Sequence, residues 1–163
     1  MEAAKSAAES RVSLAIITEV GQANPYGSLH GGVLLRLADE CGAIAALRHV
    51  GGGRITTAAI DSFTFLVPVY VGERVELTAE VTHVGHTSIE SRVEIWAEPM
   101  DRIERRRVAV GYGLYVALDV WGRLRPVPPL RSETEADRRR DEAAQARQAV
   151  RLARRAEAKK EDG

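Results

Sequence analysis

Between residues 30 and 49 the sequence carries its one long helical pattern before the C-terminal tail, and that pattern is apolar almost all the way round. Leu34, Leu37, Cys41, Ile44 and Ala45 recur at three-and-four spacing, while Val33, Leu35, Ala38 and Ala46 fill most of the remaining surface. A helix of this kind is buried rather than laid on a surface. Gly51-Gly52-Gly53 ends it as a C-terminal stop and a turn. The same apolar run carries Asp39 beside Glu40, and a carboxylate among leucines and alanines is costly unless it is paired or used.

What buries that helix is legible in the flanking segments. Residues 12–20 are rich in Ile, Val, Leu and Thr and predict a first strand, followed by a loop punctuated by Asn24-Pro25 and Gly27. After the glycines, residues 55–69 form a long β-rich run that bends near Asp61-Ser62 and closes at Pro68 and Gly72. Val75, Leu77, Ala79 and Val81 alternate with polar residues, as do Ile89, Ser91, Val93 and Ile95, and Gly85-His86 joins the two runs as a hairpin. In the last run Val108, Val110, Tyr112, Leu114, Val116 and Leu118 share one face, with Ala109, Gly111, Gly113, Tyr115 and Ala117 opposite. The pattern predicts an α+β domain: one long central helix wrapped by a five- or six-stranded antiparallel sheet.

Composition bounds the function. The 163 residues hold one ordinary core, and Lys+Arg and Asp+Glu both number 23, so no net field draws the protein to nucleic acid or an anionic membrane. The first ten residues lack the apolar run of a signal peptide, and no stretch approaches the roughly 20 apolar residues of a membrane span. A soluble cytoplasmic protein is the expectation. The one cysteine, Cys41, excludes an intrachain disulfide, and in an apolar helix it reads as a core thiol. His30, His49, His83 and His86 show no metal-ligand spacing, so neither metal nor cofactor is expected.

The organisation read from these shifts is a lead over residues 1–11, a domain over 12–126, and a Pro-rich exit with a charged helix over 127–163. Residues 132–160 are almost wholly Ala, Arg, Glu, Gln, Asp and Lys, with Ser132 or Thr134 as N-cap and acidic residues in the first turn. Val150 and Leu152 are too few to anchor a deep interface, so this helix is expected to be solvated and to fray toward Gly163. Its arginines are interleaved with acidic residues and carry no aromatics, which argues against nucleic-acid binding.

Four ordered motifs carry a resemblance. Asn24 precedes His30-Gly31-Gly32, Asp39-Glu40 lies in the helix, Thr56-Thr57-Ala58-Ala59-Ile60-Asp61 runs into Phe65-Leu66-Val67-Pro68-Val69-Tyr70-Val71-Gly72, and Gly85-His86-Thr87-Ser88 closes the hairpin. Together they resemble the hotdog-fold acyl-CoA thioesterases, most nearly the cytosolic acyl-CoA hydrolase branch. The likeness covers about residues 12–124, and the charged segment 102–107 departs from it. It implies a thioester hydrolase that releases a fatty acid and CoA. A non-catalytic acyl-CoA binding or sensing module on the same fold is the alternative.

The resemblance also implies a site. Thioester hydrolysis needs an attacking group and donors for the developing oxyanion. Gly31 and Gly32 lie at the helix start, where N–H groups lack intrahelical partners and the dipole is positive. Asp39 is the implied general base or nucleophile, the plain alternative being a salt bridge to Arg36 or exposure beside Glu40. Asn24 is the implied second polar group, or an Asx turn before Pro25. His30, Thr57, Gly85, Thr87 and Ser88 are the implied substrate contacts, although a lone His at a helix start is more often a capping or packing residue, with Arg54 and Arg92 as candidate phosphate partners. Seven residues separate Gly32 from Asp39, ~10 Å along one helix, too far for one water to serve both. A pocket shared between two chains follows, with a homodimer as the minimal unit and a higher oligomer such as a hexamer.

Overall fold

The computed structural model describes residues 3–161. Strand β1 (Lys5–Ser6) and a one-turn helix α1 (Ala7–Ser10) precede β2 (Val12–Ile17), a 3-10 turn (Val20–Gln22) and the long helix α2 (Gly31–Val50). Strands β3 (Arg54–Phe65), β4 (Arg74–Val84), β5 (Ser88–Glu98) and β6 (Arg106–Leu118) follow, then β7 (Leu130–Arg131) and α3 (Glu135–Glu161). Five strands form one antiparallel sheet in the order β2-β4-β5-β6-β3. The architecture is thus α+β, with five strands in the main sheet.

Helix α2 lies on the inner face of that sheet. Leu34, Leu37, Ala38, Cys41 and Ala45 pack with Val75, Leu77, Ala79, Val93, Ile95 and Ala97, while Ala46 and Val50 meet Val81, Ile89, Tyr115 and Ala117. Full burial of Leu77, Ile89 or Ile95 contributes about 1.5–3 kcal/mol each. The inward face of β6 carries small residues, Ala109, Gly111, Gly113 and Ala117, around one large ring, Tyr115, which fits against Gly42 of the helix. Gly51 ends α2 in the left-handed conformation (φ 78°), donating its N–H to Leu47.

Several elements differ from the sequence reading. The first strand stops at Ile17, because Thr18 turns the chain: its N–H and hydroxyl bond the Glu73 carbonyl, and the hydroxyl also bonds the Tyr70 carbonyl. Strand β3 ends at Phe65, and its pairing with β6 is interrupted between Thr57 and Ala59 and again between Ile60 and Ser62, where the bend was expected. β1 and β7 pair in parallel, joining the start of the chain to the segment after Pro129, a pairing too short to leave a periodic signal. α2 is not buried all round, since Ile44 and Leu47 stay exposed on the side away from the sheet.

The expectation of a solvated C-terminal helix holds for most of its surface, Val150 and Leu152 included, but not for one docked face. α3 crosses the outer face of the sheet, where Ala144 is fully buried, and its anchors are ionic rather than apolar. His83 on β4 meets Asp141 at 2.6 Å, Glu90 on β5 takes both Nε and Nη2 of Arg147, and Asp61 on β3 binds Arg151. The N-terminus of α3 is capped by Thr134, whose Oγ1 accepts the Asp137 N–H while the Asp137 carboxylate accepts the Thr134 N–H. Fraying at Gly163 lies outside the described residues. Among the described residues no helix is long and apolar enough to cross a membrane.

Candidate active site

The start of α2 is set by the loop before it. The Leu29 N–H donates to the Val69 carbonyl and that of His30 to Gln22, which seats His30 as N-cap in extended conformation. His30 Nδ1 accepts the Gly32 N–H at 2.9 Å. One of the two expected oxyanion donors is therefore already used by the cap. The Gly31 N–H is accepted by no group among the described residues. A Cβ at Gly31 would lie 3.1 Å from the Phe65 ring, so glycine here lets β3 close over the helix start.

Asp39 sits two turns further along, half-buried, with Oδ1 accepting the Thr57 hydroxyl at 2.9 Å. Arg36 does not reach it: that guanidinium pairs with Glu40 at 2.6 Å. The salt-bridge alternative thus fails, and the Asp39 side chain is oriented by a neutral donor. The Asp39 main-chain carbonyl accepts the Tyr115 hydroxyl at 3.1 Å. Burial pushes the Tyr115 hydroxyl, and to about 11 the Cys41 thiol, upward, so both stay protonated at neutral pH.

Asn24 forms the Asx turn that was its plainer reading. Its Oδ1 accepts the N–H groups of Tyr26 (2.9 Å) and Ser28 (3.3 Å), and Nδ2 donates to Ser28 Oγ at 2.8 Å. One Nδ2 hydrogen is left over. Within one chain Asp39 and Thr57 come together, and His30 and Gly32 come together, but α2 keeps the two groups apart.

The remaining candidates lie elsewhere on the sheet. Gly85 closes the β4–β5 turn through its N–H to the Ser88 carbonyl. Thr87 and Ser88 line a groove of about 690 Å³ on the outer face, walled by Leu114, Val116, Leu152 and Arg151. Arg54 is exposed at the start of β3, opposite Leu118. Arg92 is held by Glu94 at 2.7 Å on the outer face, beside Glu80 and Arg140 of a separate groove. Among the described residues no three His, Cys, Asp or Glu side chains gather as metal ligands. Tyr115 and Ser91 went unread as site residues, although glycines at 42 and 113 mark where a large ring must fit.

The family model for the thioesterase superfamily matches residues 26–104, the stretch from the loop before the helix cap to the β5–β6 turn. The chain is 31% identical to an acyl-CoA hydrolase from Staphylococcus aureus solved with butyryl coenzyme A, coenzyme A and coenzyme A disulfide; the likeness has a TM-score of 0.87 and covers 96% of this chain and 94% of that one. The protein belongs to the acyl-CoA thioester hydrolases. An apo-hexameric acyl-CoA thioesterase matches at 32% identity and a TM-score of 0.89, covering 95% and 99% of the two chains. The human cytosolic acyl coenzyme A thioester hydrolase is 35% identical over 124 residues, 75% of this chain but 32% of that one, so this thioesterase spans about a third of the human protein. Variants of the Staphylococcus aureus hydrolase with one aspartate, one asparagine or one threonine changed to alanine have also been solved.

Proposed function

We propose that this protein hydrolyses acyl-CoA thioesters to a carboxylic acid and CoA in a pocket shared by two copies, with Asp39 of one and the helix start of the other. The observation that carries this reading is the Asp39 carboxylate itself, on an apolar helix, oriented by the Thr57 hydroxyl and, among the described residues, paired with no cation. Thr57 fixes Oδ1 and leaves Oδ2 to face a water. As that water bonds to the thioester carbon, its proton passes to Asp39 and the carbonyl oxygen becomes an anion. The open Gly31 N–H, at the positive end of the helix dipole, receives that oxygen. Collapse breaks the C–S bond, and the proton on Asp39 returns to sulfur. The spare Nδ2 hydrogen of Asn24 orients the water or the carbonyl.

A second copy is needed because Gly31 and Asp39 lie eight residues, ~12 Å, apart along α2. β3 supports the same requirement: it is an unpaired edge of 12 residues, with Ile60, Phe65, Leu66 and Val67 exposed near it, and such an edge demands a partner. A homodimer is the minimal unit, and the hexameric relative supports a trimer of such dimers. The groove at Thr87 and Ser88 serves the CoA moiety, with Arg54 as a phosphate contact. The cytosolic relative supports a cytoplasmic location.

The test incubates the protein with short, medium and long acyl-CoAs and follows free thiol. Turnover of at least one chain length is expected, with a loss of about a hundredfold in Asp39→Asn and unchanged CoA binding. CoA binding without turnover of any member identifies a sensing module instead. Full activity in Asp39→Asn removes the base.

A further inference from the structure

Two neighbouring strands grip Asp39 at both of its ends. Thr57 on β3 and Tyr115 on β6 are direct cross-strand partners, and both point inward to α2. Thr57 donates to the Asp39 carboxylate at 2.9 Å and Tyr115 to the Asp39 main-chain carbonyl at 3.1 Å. One turn further on, Ser91 Oγ of β5 donates to the Gly42 carbonyl at 3.0 Å. Ser91 lies opposite Gly113, two residues before Tyr115, so all three donors come from one patch of sheet.

Neither Ser91 nor Tyr115 owes its hydroxyl to packing. Both are fully buried, and a buried hydroxyl costs free energy unless it is bonded, so Phe and Ala would fill these places more simply. The surroundings are shaped for the hydroxyl as well. A Cβ at either Gly42 or Gly113 would collide with Tyr115 Oη. The helix carbonyls gain little stability from a second donor, since carbonyls in mid-helix already accept within the ladder. What the extra bonds fix is where α2 stands on the sheet: its axial position through two successive turns and its rotation about its own axis.

We infer that Tyr115, seconded by Ser91, is a positioning residue for the hydrolytic reaction, holding the Asp39 turn so that Thr57 presents the carboxylate at one fixed place. The inference rests on the reading of Asp39 as the base. Its hydroxyl is bonded to the Asp39 main-chain carbonyl, so Tyr115 acts through the backbone of Asp39. A displacement of about 1 Å at a catalytic group costs up to a hundredfold in rate, and loss of one of two grips allows part of that.

The test is a cycle of four proteins: wild type, Tyr115→Phe, Asp39→Asn and the double variant, each assayed by thiol release on one acyl-CoA after gel filtration has established the same oligomer. Tyr115→Phe is expected to lower kcat about tenfold with KM within about twofold, and to change the residual rate of Asp39→Asn by less than about twofold. Ser91→Ala is expected to repeat the pattern at about threefold, which keeps the test decisive if Tyr115→Phe does not assemble. Equal losses in both backgrounds, or an unchanged kcat in Tyr115→Phe beside a damaged Asp39→Asn, overturns the positioning role alone. Wild-type turnover by Asp39→Asn overturns the base, and this inference with it.

Discussion

Replacing Arg147 by methionine tests whether α3 is held by charge. The Glu90 carboxylate beneath it is 1% exposed and is bonded by Arg147 Nε at 3.2 Å, Arg147 Nη2 at 2.7 Å and the Thr82 hydroxyl at 2.8 Å. Removing the partner of a buried ion costs about 3–5 kcal/mol. Two features place this case at the low end: the Arg147 side chain is 22% exposed, and Arg151 stands 3.9 Å from Glu90 as a partial substitute. The loss of the stacking of Arg147 on Tyr112, 3.7 Å from the ring centroid, adds about 0.5–1 kcal/mol. About 3.5–4 kcal/mol is the expected destabilisation. Glu90→Leu combined with Arg147→Met is expected to recover most of it, because well-packed apolar replacements of a buried pair are near neutral. Urea unfolding at one fixed protein concentration reads the energies, and amide exchange along α3 reads where the loss occurs. A penalty below about 1 kcal/mol, or a double variant as unstable as the single, refutes the ionic anchor.

His49 is fully buried with Nε2 donating to the Pro128 carbonyl at 2.9 Å and Nδ1 without a partner among the described residues, and burial lowers its pKa below the ordinary 6.5. The unfolded chain therefore binds the proton first, so stability is full above about pH 6.5 and falls as pH drops toward the folded pKa; urea midpoints at pH 7 and 5.5 should diverge in wild type and less so in His49→Gln, and equal slopes would contradict this. Gly42→Ala, which drives a methyl into the seated Tyr115 hydroxyl, is expected to cost about 1–3 kcal/mol by thermal unfolding. An unchanged melting temperature would show that the Tyr115 ring is free to move.

The parts of this fold that read well from sequence are those with a periodic signal. The apolar α2, the β4–β5 hairpin at Gly85 and the alternating β6 each carry a pattern that tertiary structure leaves in force. α3 did not, because its docking residues, Asp141, Arg147 and Arg151, look like any solvated charges until their partners His83, Glu90 and Asp61 are found 58, 57 and 90 positions away. Asp39 was legible as a carboxylate out of place, whereas its bond to Thr57 spans the turn at Gly51-Gly52-Gly53 and has no local signature. The division of labour between the two glycines was also hidden, since it depends on the ring of His30 folding back onto Gly32.

The shared pocket is tested most directly by mixing two inactive proteins. Asp39→Asn removes the proposed base, and Gly31→Pro removes the open N–H while suiting the first helical position, since His30 before it is already extended (φ −65°, ψ 129°). The added ring carbons meet the half-exposed ring of Phe65. If each pocket takes Asp39 from one copy and Gly31 from the other, a mixed dimer holds one pocket with both lesions and one intact. After statistical exchange of equal amounts, thiol release should recover to about a quarter of wild type. No recovery with subunit exchange demonstrated, or a fully active monomer at high dilution, would contradict a site built from two chains.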